Sequence, residues 1–144
     1  MASDGELSEY AAANVAELAA LERKWTEGKL RHHVDVLLAF VAERRADILR
    51  LMGDQPGPVG WVEVIKQLIV ELGCVHPKSE MRAQIDEIQR EIWYRGEAGD
   101  HNVDQIKMEW TVKHAPQWRE WLIKEYLFVA DKCAGEIDSR LLHP

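Results

Sequence analysis

The sequence predicts an all-α protein, a single-domain bundle of about six helices that run mostly up and down and are joined by short loops rich in glycine and proline. Three observations support this prediction. Apolar residues recur every three to four positions, no stretch is a convincing strand, and glycine or proline separates the periodic segments. The length of 144 residues fits one domain over positions 1–144 with a buried core.

The helices are expected at about 4–27, 29–52, 58–72, 77–95, 103–114 and 116–142. The first follows a capping-box pattern at Ser3 and Glu6. It ends at Gly28, because glycine adopts the left-handed conformation at no steric cost. The second helix has Arg44 and Arg45 where one apolar residue is expected.

The third helix starts near Pro58, where the missing N–H of proline costs nothing. It is apolar on more than one side, which is typical of a central helix or of one at an oligomer contact. The fourth helix opens at Pro77. Its apolar stripe, expected in the core, consists of Met81, Ile85, Ile88 and Ile92.

Gly96 and Gly99 are expected to separate the fourth helix from the fifth. Asn102 with Gln105 fits an N-cap and its return partner, a looser form of the capping box. Pro116 either starts a sixth helix or kinks a continuous one, because proline removes a hydrogen-bond donor and clashes with the preceding turn. The sequence alone leaves both alternatives open.

Composition limits the classes of function. The formal net charge of -7 and the pI near 5.4 oppose non-specific binding to nucleic acid or to an anionic membrane. No apolar run is long enough to span a bilayer, and the acidic N-terminus does not resemble a signal peptide. Cys74 and Cys133 do not form a CxxC motif, and we expect two buried thiols in a reducing cytoplasm, with a single bridge between them as the alternative.

Several common catalytic and metal-binding motifs are absent from the sequence, although a Ser-His-Asp or Cys-His set, which is recognised in space and not by order, is not excluded. The sequence lacks Glu-x-x-His, His-x-x-x-His, GxSxG and phosphate-binding glycine loops. His32 and Asp35, three residues apart, would be able to share a metal, and Glu87 and Glu91 would be able to share magnesium. We nevertheless expect no metal and no cofactor, with these groups on solvated faces, and the enzyme hypothesis is disfavoured.

Nucleic-acid binding is a third-ranked hypothesis that the sequence does not exclude. The segment 104–126 has equal numbers of acidic and basic residues. The two short helices expected there therefore lack the net positive charge that binding in a nucleic-acid groove requires. A local basic face remains possible on Arg23, Lys24, Lys29, Arg31, Arg44 and Arg45.

One polar loop is the candidate ligand site. Arg95 would hold an anionic group there, and His101 would transfer protons near neutral pH. The alternative is a solvated loop that only joins two helices. The candidate ligand-binding residues are Trp93, Tyr94, Arg95, Glu97, Asp100 and His101.

Six tryptophans are more than one small bundle needs, and tryptophan is a favoured anchor of protein interfaces. Trp61 and Trp121 are the candidate interface residues. Trp93, Trp110 and Trp118 are expected to meet where three helical segments converge, with Trp110 in the core together with Tyr126 on the last helix. The alternative is that all six indoles are half-buried core residues.

These observations favour a non-catalytic helical bundle that acts through protein–protein interaction or self-association, with a homo-oligomer or a protein as its partner and no membrane. The alternative is a small-ligand-binding protein or enzyme with a polar pocket near Arg95 and His101. A nucleic-acid-associated protein is the third hypothesis.

Overall fold

The computed structural model describes residues 14–52 and 57–142, and over this part the chain is helical, without a strand. The all-α prediction is confirmed. The predicted capping box at Ser3 and Glu6 lies outside the described residues. The α-helices are α1 Val15–Thr26, α2 Arg31–Glu43, α3 Arg45–Met52, α4 Gly57–Leu72, α5 Pro77–Glu97, α6 Val103–Glu109, α7 Ala115–Lys132 and α8 Ala134–Leu142, and a π-helical turn spans Trp110–His114.

The helices belong to two compact units. The first unit comprises the described residues of Met1–Val75 and of Leu122–Pro144, and the second unit is His76–Trp121. The first unit therefore holds α1 to α4, most of α7 and α8, whereas the second holds α5, α6, the π-helical turn and the start of α7. That the whole chain forms a single domain stays a prediction.

The core of the first unit is aliphatic. Within it, α8 packs against α2 and α4. Helix α3 also packs against α2 and against α4. Tyr126 of α7 is 2% exposed, which confirms it as a core position. Each fully buried aliphatic side chain contributes about 1.5–3 kcal/mol of transfer free energy. The side chains with no exposed surface include Leu37, Val41, Ile48, Ile65, Ile69, Val129, Ile137 and Leu141.

Helix α1 starts at a capping box. The side chain of Asn14 accepts a hydrogen bond from the backbone N–H of Glu17 at 2.8 Å, and the Glu17 carboxylate accepts one from the N–H of Asn14 at 3.1 Å. Asn14 therefore caps the start of α1, at a position inside the helix predicted at 4–27. At its other end α1 stops as predicted before Gly28, which has a φ of +74°.

The helix predicted at 29–52 is interrupted at Arg44, where φ is -106° and ψ is 17°. Two arginine contacts accompany the break. The Arg44 guanidinium lies 4.4 Å above the ring of Phe40, and Nε of Arg45 donates to the carbonyl oxygen of Leu141 at 2.7 Å. The two arginines thus mark the end of α2 and hold the start of α3 against α8.

In the second unit, α5 packs against α6. Helix α5 continues through Gly96 to Glu97, two residues beyond the predicted end, and the chain then turns at Gly99 with a φ of +94°. The predicted N-cap of α6 is confirmed, since Asn102 Oδ1 accepts from the N–H of Gln105 at 3.2 Å.

The connection at Pro116 is continuous, because α6 passes through the π-helical turn into α7. A proline cannot donate to the helical hydrogen-bond ladder, and wide turns of this kind relieve its clash with the preceding carbonyl. The segment predicted at 116–142 is in turn divided at Cys133, between α7 and α8.

Of the three tryptophans expected to meet, Trp110 and Trp118 do, with ring centroids 6.4 Å apart. Trp110 is only 6% exposed, which confirms it as a core position. Trp93 is 62% exposed instead.

Candidate functional site

The guanidinium of Arg95 lies among three carboxylates at the end of α5. Its Nη1 is 2.7 Å from Oε2 of Glu109 and 3.7 Å from Oδ2 of Asp100, and its Nε donates to Oε1 of Glu91 at 3.0 Å. Hydrogen bonds to Glu109 and Glu91 raise the pKa of Arg95, and the bond from Arg95 lowers the pKa of Glu109. Three acids around one base favour an interhelical clamp over capture of an anion.

The other residues of the predicted ligand site are on the surface. Trp93 and Tyr94 form an edge-to-face pair with centroids 5.2 Å apart, and both rings are mostly exposed. Glu97 is exposed. The exposed His101 lies against Gly96, with Nδ1 3.7 Å from where a Cβ of that glycine would be. The structure brings Arg95 to Asp100 and Trp93 to Tyr94, and the ligand-binding role of the set stays a prediction.

The two candidate interface tryptophans are half-buried. Trp61, in α4, packs against the apolar core of the first unit. Trp121 is also half-buried, at the last position of the second unit. Neither of them is among the large apolar side chains that the structure exposes most.

Exposed apolar side chains do lie on the apolar stripe of α5, which the sequence placed in the core. Met81 is 65% exposed and Ile85 is 43% exposed, while Ile88 and Ile92 are half-buried. The expectation of a core stripe is therefore wrong for its N-terminal half. The physical reason is that periodicity identifies an apolar face but not what covers it. Below, these four side chains are called the α5 stripe.

A buried polar cluster in the first unit was not singled out from the sequence. Nε2 of His33 lies 3.8 Å from Oε2 of Glu125, which also accepts a hydrogen bond from Nζ of Lys24 at 3.3 Å. The His33 ring packs on Tyr126 with centroids 4.8 Å apart, and neither of its nitrogens has a hydrogen-bond partner among the described residues. The helical spacing offered no signal, because α2 and α7 are far apart in sequence.

Burial shifts the pKa values of His33 and Glu125 in the direction that favours their neutral forms. It lowers the pKa of His33 to about 4, helped by the charges of His32 and Lys24. It also raises the pKa of Glu125, although Lys24 opposes the rise. Opposed shifts of this kind occur at functional sites and at structural ion pairs alike.

Most arginines and lysines of the predicted basic face contact other protein groups. Lys29 pairs with Glu27 at 2.8 Å and Arg44 with Glu43 at 3.9 Å. Together with the contacts of Lys24 and Arg45 given above, these interactions reduce the positive charge available to a phosphate backbone. The nucleic-acid hypothesis gains no support from this geometry.

Within residues 14–52 and 57–142 no group of three or more histidine, cysteine, aspartate or glutamate side chains is placed to hold a metal ion. Nor does any helix of this part combine the length and the apolar character required to cross a bilayer. Comparison of the chain with protein-family models, with curated proteins and with solved structures finds no match.

Proposed function

We propose that this protein acts by helix–helix association through the α5 stripe, and that its partner is a second copy of the chain. The observation that carries the proposal is the exposure of Met81 and Ile85 on a helix whose apolar residues are spaced by four, three and four positions. An exposed apolar stripe of this kind marks an interaction surface more often than an isolated exposed side chain does.

The spacing matches the pattern of paired helices. It puts Met81 and Ile88 at one core position of a heptad, and Ile85 and Ile92 at the other. Burying a side chain of this size contributes about 1.5–3 kcal/mol when it is fully covered. Two copies of the stripe would therefore supply enough apolar surface for a weak, concentration-dependent dimer.

The charges beside the stripe permit self-pairing. In an antiparallel pair, Arg82 of one copy lies opposite Gln89 of the other, and Gln84 lies opposite Glu91, so no like charges meet. At the ends, Lys78 faces the negative cluster around Arg95. The net charge of -7 makes two copies repel each other, which opposes non-specific association.

Sedimentation velocity and light scattering over a concentration series test the proposal. The weight-average mass is expected to rise towards twice the 16.6 kDa mass of one chain. Met81→Glu should hold the protein at the mass of one chain at every concentration. Met108→Glu is the matched control, because Met108 is 68% exposed on α6 and lies outside the stripe, so it should behave as the wild type.

Two results would overturn the proposal. One is a wild-type protein that stays at the mass of a single chain throughout the series. The other is an equal loss of association in both methionine variants, because that would indicate a general effect of added negative charge and not a specific contact at the stripe.

A cytoplasmic location is part of the same proposal. Cys74 and Cys133 form no disulfide within the described part of the chain, and thiols persist in reducing compartments. Cys133 is buried and Cys74 is half-buried, which differs from the expectation of two buried thiols. Fractionation of cells that express the chain at its natural level checks the location, and recovery from an oxidising compartment would count against it.

A further inference from the structure

The first unit contains an open cavity of about 630 Å³. It lies between the end of α1, the first turns of α2 and the junction of α7 with α8. Its volume is in the range of pockets that accept small organic molecules. The lining side chains that matter for its chemistry are Trp25, Leu30, Arg31, Val34, Asp35 and Glu136.

Three charged side chains at this cavity are available to a ligand. Arg31, Asp35 and Glu136 form no ion pair within the part of the chain that the structure describes, and all three are exposed. Several other charged side chains of the first unit form ion pairs, such as Lys66 with Asp131 at 2.8 Å. Two acids and one base give the lining a net negative charge.

The remaining lining is aromatic and apolar. The Trp25 indole is half-buried, and its edge-to-face contact with Phe128, with centroids 6.4 Å apart, holds the ring in place. Leu30 is buried and Val34 is half-buried beside it. An indole face attracts cations as well as apolar groups, because its quadrupole is negative above the ring.

From this combination we propose that the cavity binds a small organic ammonium compound with an apolar body. The ammonium group is held by Asp35 and Glu136, and the apolar body packs on Trp25 and Leu30. Arg31 at the same cavity disfavours a second positive charge on the ligand. Because the carboxylates are exposed, binding is weak and weakens further with salt.

Titration of the uniformly ¹⁵N-labelled protein followed by nuclear magnetic resonance tests the proposal, with 2-phenylethylammonium as the probe and 3-phenylpropionate as an anion with a similar body. At low ionic strength, the ammonium probe should shift the amide signals of residues 25–36 and 133–136 in a saturable way. Its affinity should exceed that of the anion by at least about tenfold, a difference of about 1.4 kcal/mol.

Two isosteric variants test whether Asp35 and Glu136 contact the ammonium group of the probe. Asp35→Asn and Glu136→Gln should each weaken binding of the ammonium probe severalfold, and the double variant should abolish the preference over the anion. Asp104→Asn, a charge change at an exposed position of the second unit, is the control and should bind as the wild type. The amide spectrum of each variant reports its folding in the same experiment.

Equal affinities for the ammonium probe and the anion would overturn the inference, as would saturable shifts confined to other residues or unaltered binding in the double variant. The outcome is independent of self-association through α5. To keep the two apart, the titration is repeated in Met81→Glu, where the same affinity is expected.

Discussion

Nη1 of Arg95 lies 2.7 Å from Oε2 of Glu109, and this ion pair joins the last turns of α5 to α6. The other oxygen of Glu109, Oε1, accepts a hydrogen bond from Nε2 of Gln105 at 3.1 Å. Arg95 also bonds Glu91 on its own helix. Neighbouring side chains therefore hold both Arg95 and Glu109 in position, which lowers the conformational entropy that is lost when the ion pair forms.

Replacing Glu109 by glutamine should lower the urea midpoint of unfolding. Because Arg95 lowers the pKa of Glu109 below its ordinary value of 4.5, the contribution of the carboxylate is present above that pH and is lost as the pH falls through the lowered value. The difference between wild type and variant should thus be larger near neutral pH than below pH 4. Glu97→Gln, an exposed change on α5, is the control, and an equal effect of both changes would contradict the clamp.

Truncation of two tryptophans of the second unit should lower the free energy of unfolding by very different amounts. Trp110→Ala removes a ring that is 6% exposed and packs on Trp118, so it should destabilise the protein by about 3–5 kcal/mol. Trp93→Ala removes a ring that is 62% exposed and should cost less than about 1 kcal/mol. Chemical unfolding measures both, and a large loss for Trp93 would show that α5 is covered there.

The two thiols should differ in reactivity. Cys133 is buried, and burial together with the charge of Glu136 raises its pKa, so little thiolate forms at neutral pH. Cys74 is half-buried and should react first with an aromatic disulfide reagent. The Cys74→Ser variant should remove the fast phase and leave the slow one, and Cys133→Ser should do the reverse. Loss of the fast phase in Cys133→Ser instead would reverse the assignment.

The helical class, the end of α1 at Gly28 and the cap of α6 at Asn102 were predictable, because periodicity, glycine conformation and capping act over a few residues. The break at Arg44 was not, since Arg45 reaches the carbonyl of Leu141, a partner far along the chain. Local patterns contain no information on such a contact.

Prediction of the candidate sites shows the same division between local and distant contacts. The predicted polar set around Arg95 was chosen by proximity in sequence, and of its polar members only Asp100 contacts the Arg95 guanidinium, whose other two partners are Glu91 and Glu109. The exposure of Met81 and the approach of Glu125 to His33 depend on how helices pack, which a periodic pattern does not specify.

The half-buried His33 should make the free energy of unfolding fall as the pH is lowered. Its pKa is lowered from 6.5 to about 4, so between these values the unfolded chain binds a proton that the folded chain does not. The neighbouring charges on Lys24 and His32 add to this shift. Burial raises the pKa of Glu125. The contribution of Glu125 to the free energy of unfolding therefore has the opposite pH dependence, because it is present at low pH and is lost as the pH rises.

His33→Gln removes the imidazole and keeps a neutral polar side chain at every pH. Urea unfolding is measured at a series of pH values. Between about pH 6.5 and pH 4, the free energy of unfolding of the wild type should fall by roughly 2 kcal/mol more than that of this variant. This is less than the full pKa shift would give, because the site is partly accessible to water. His101→Gln, at an exposed position of the second unit, should keep the wild-type slope. Identical slopes for the wild type and His33→Gln would mean that His33 accepts its proton in the folded protein at its ordinary pKa. That result would require the ring to open to solvent or to pair with Glu125.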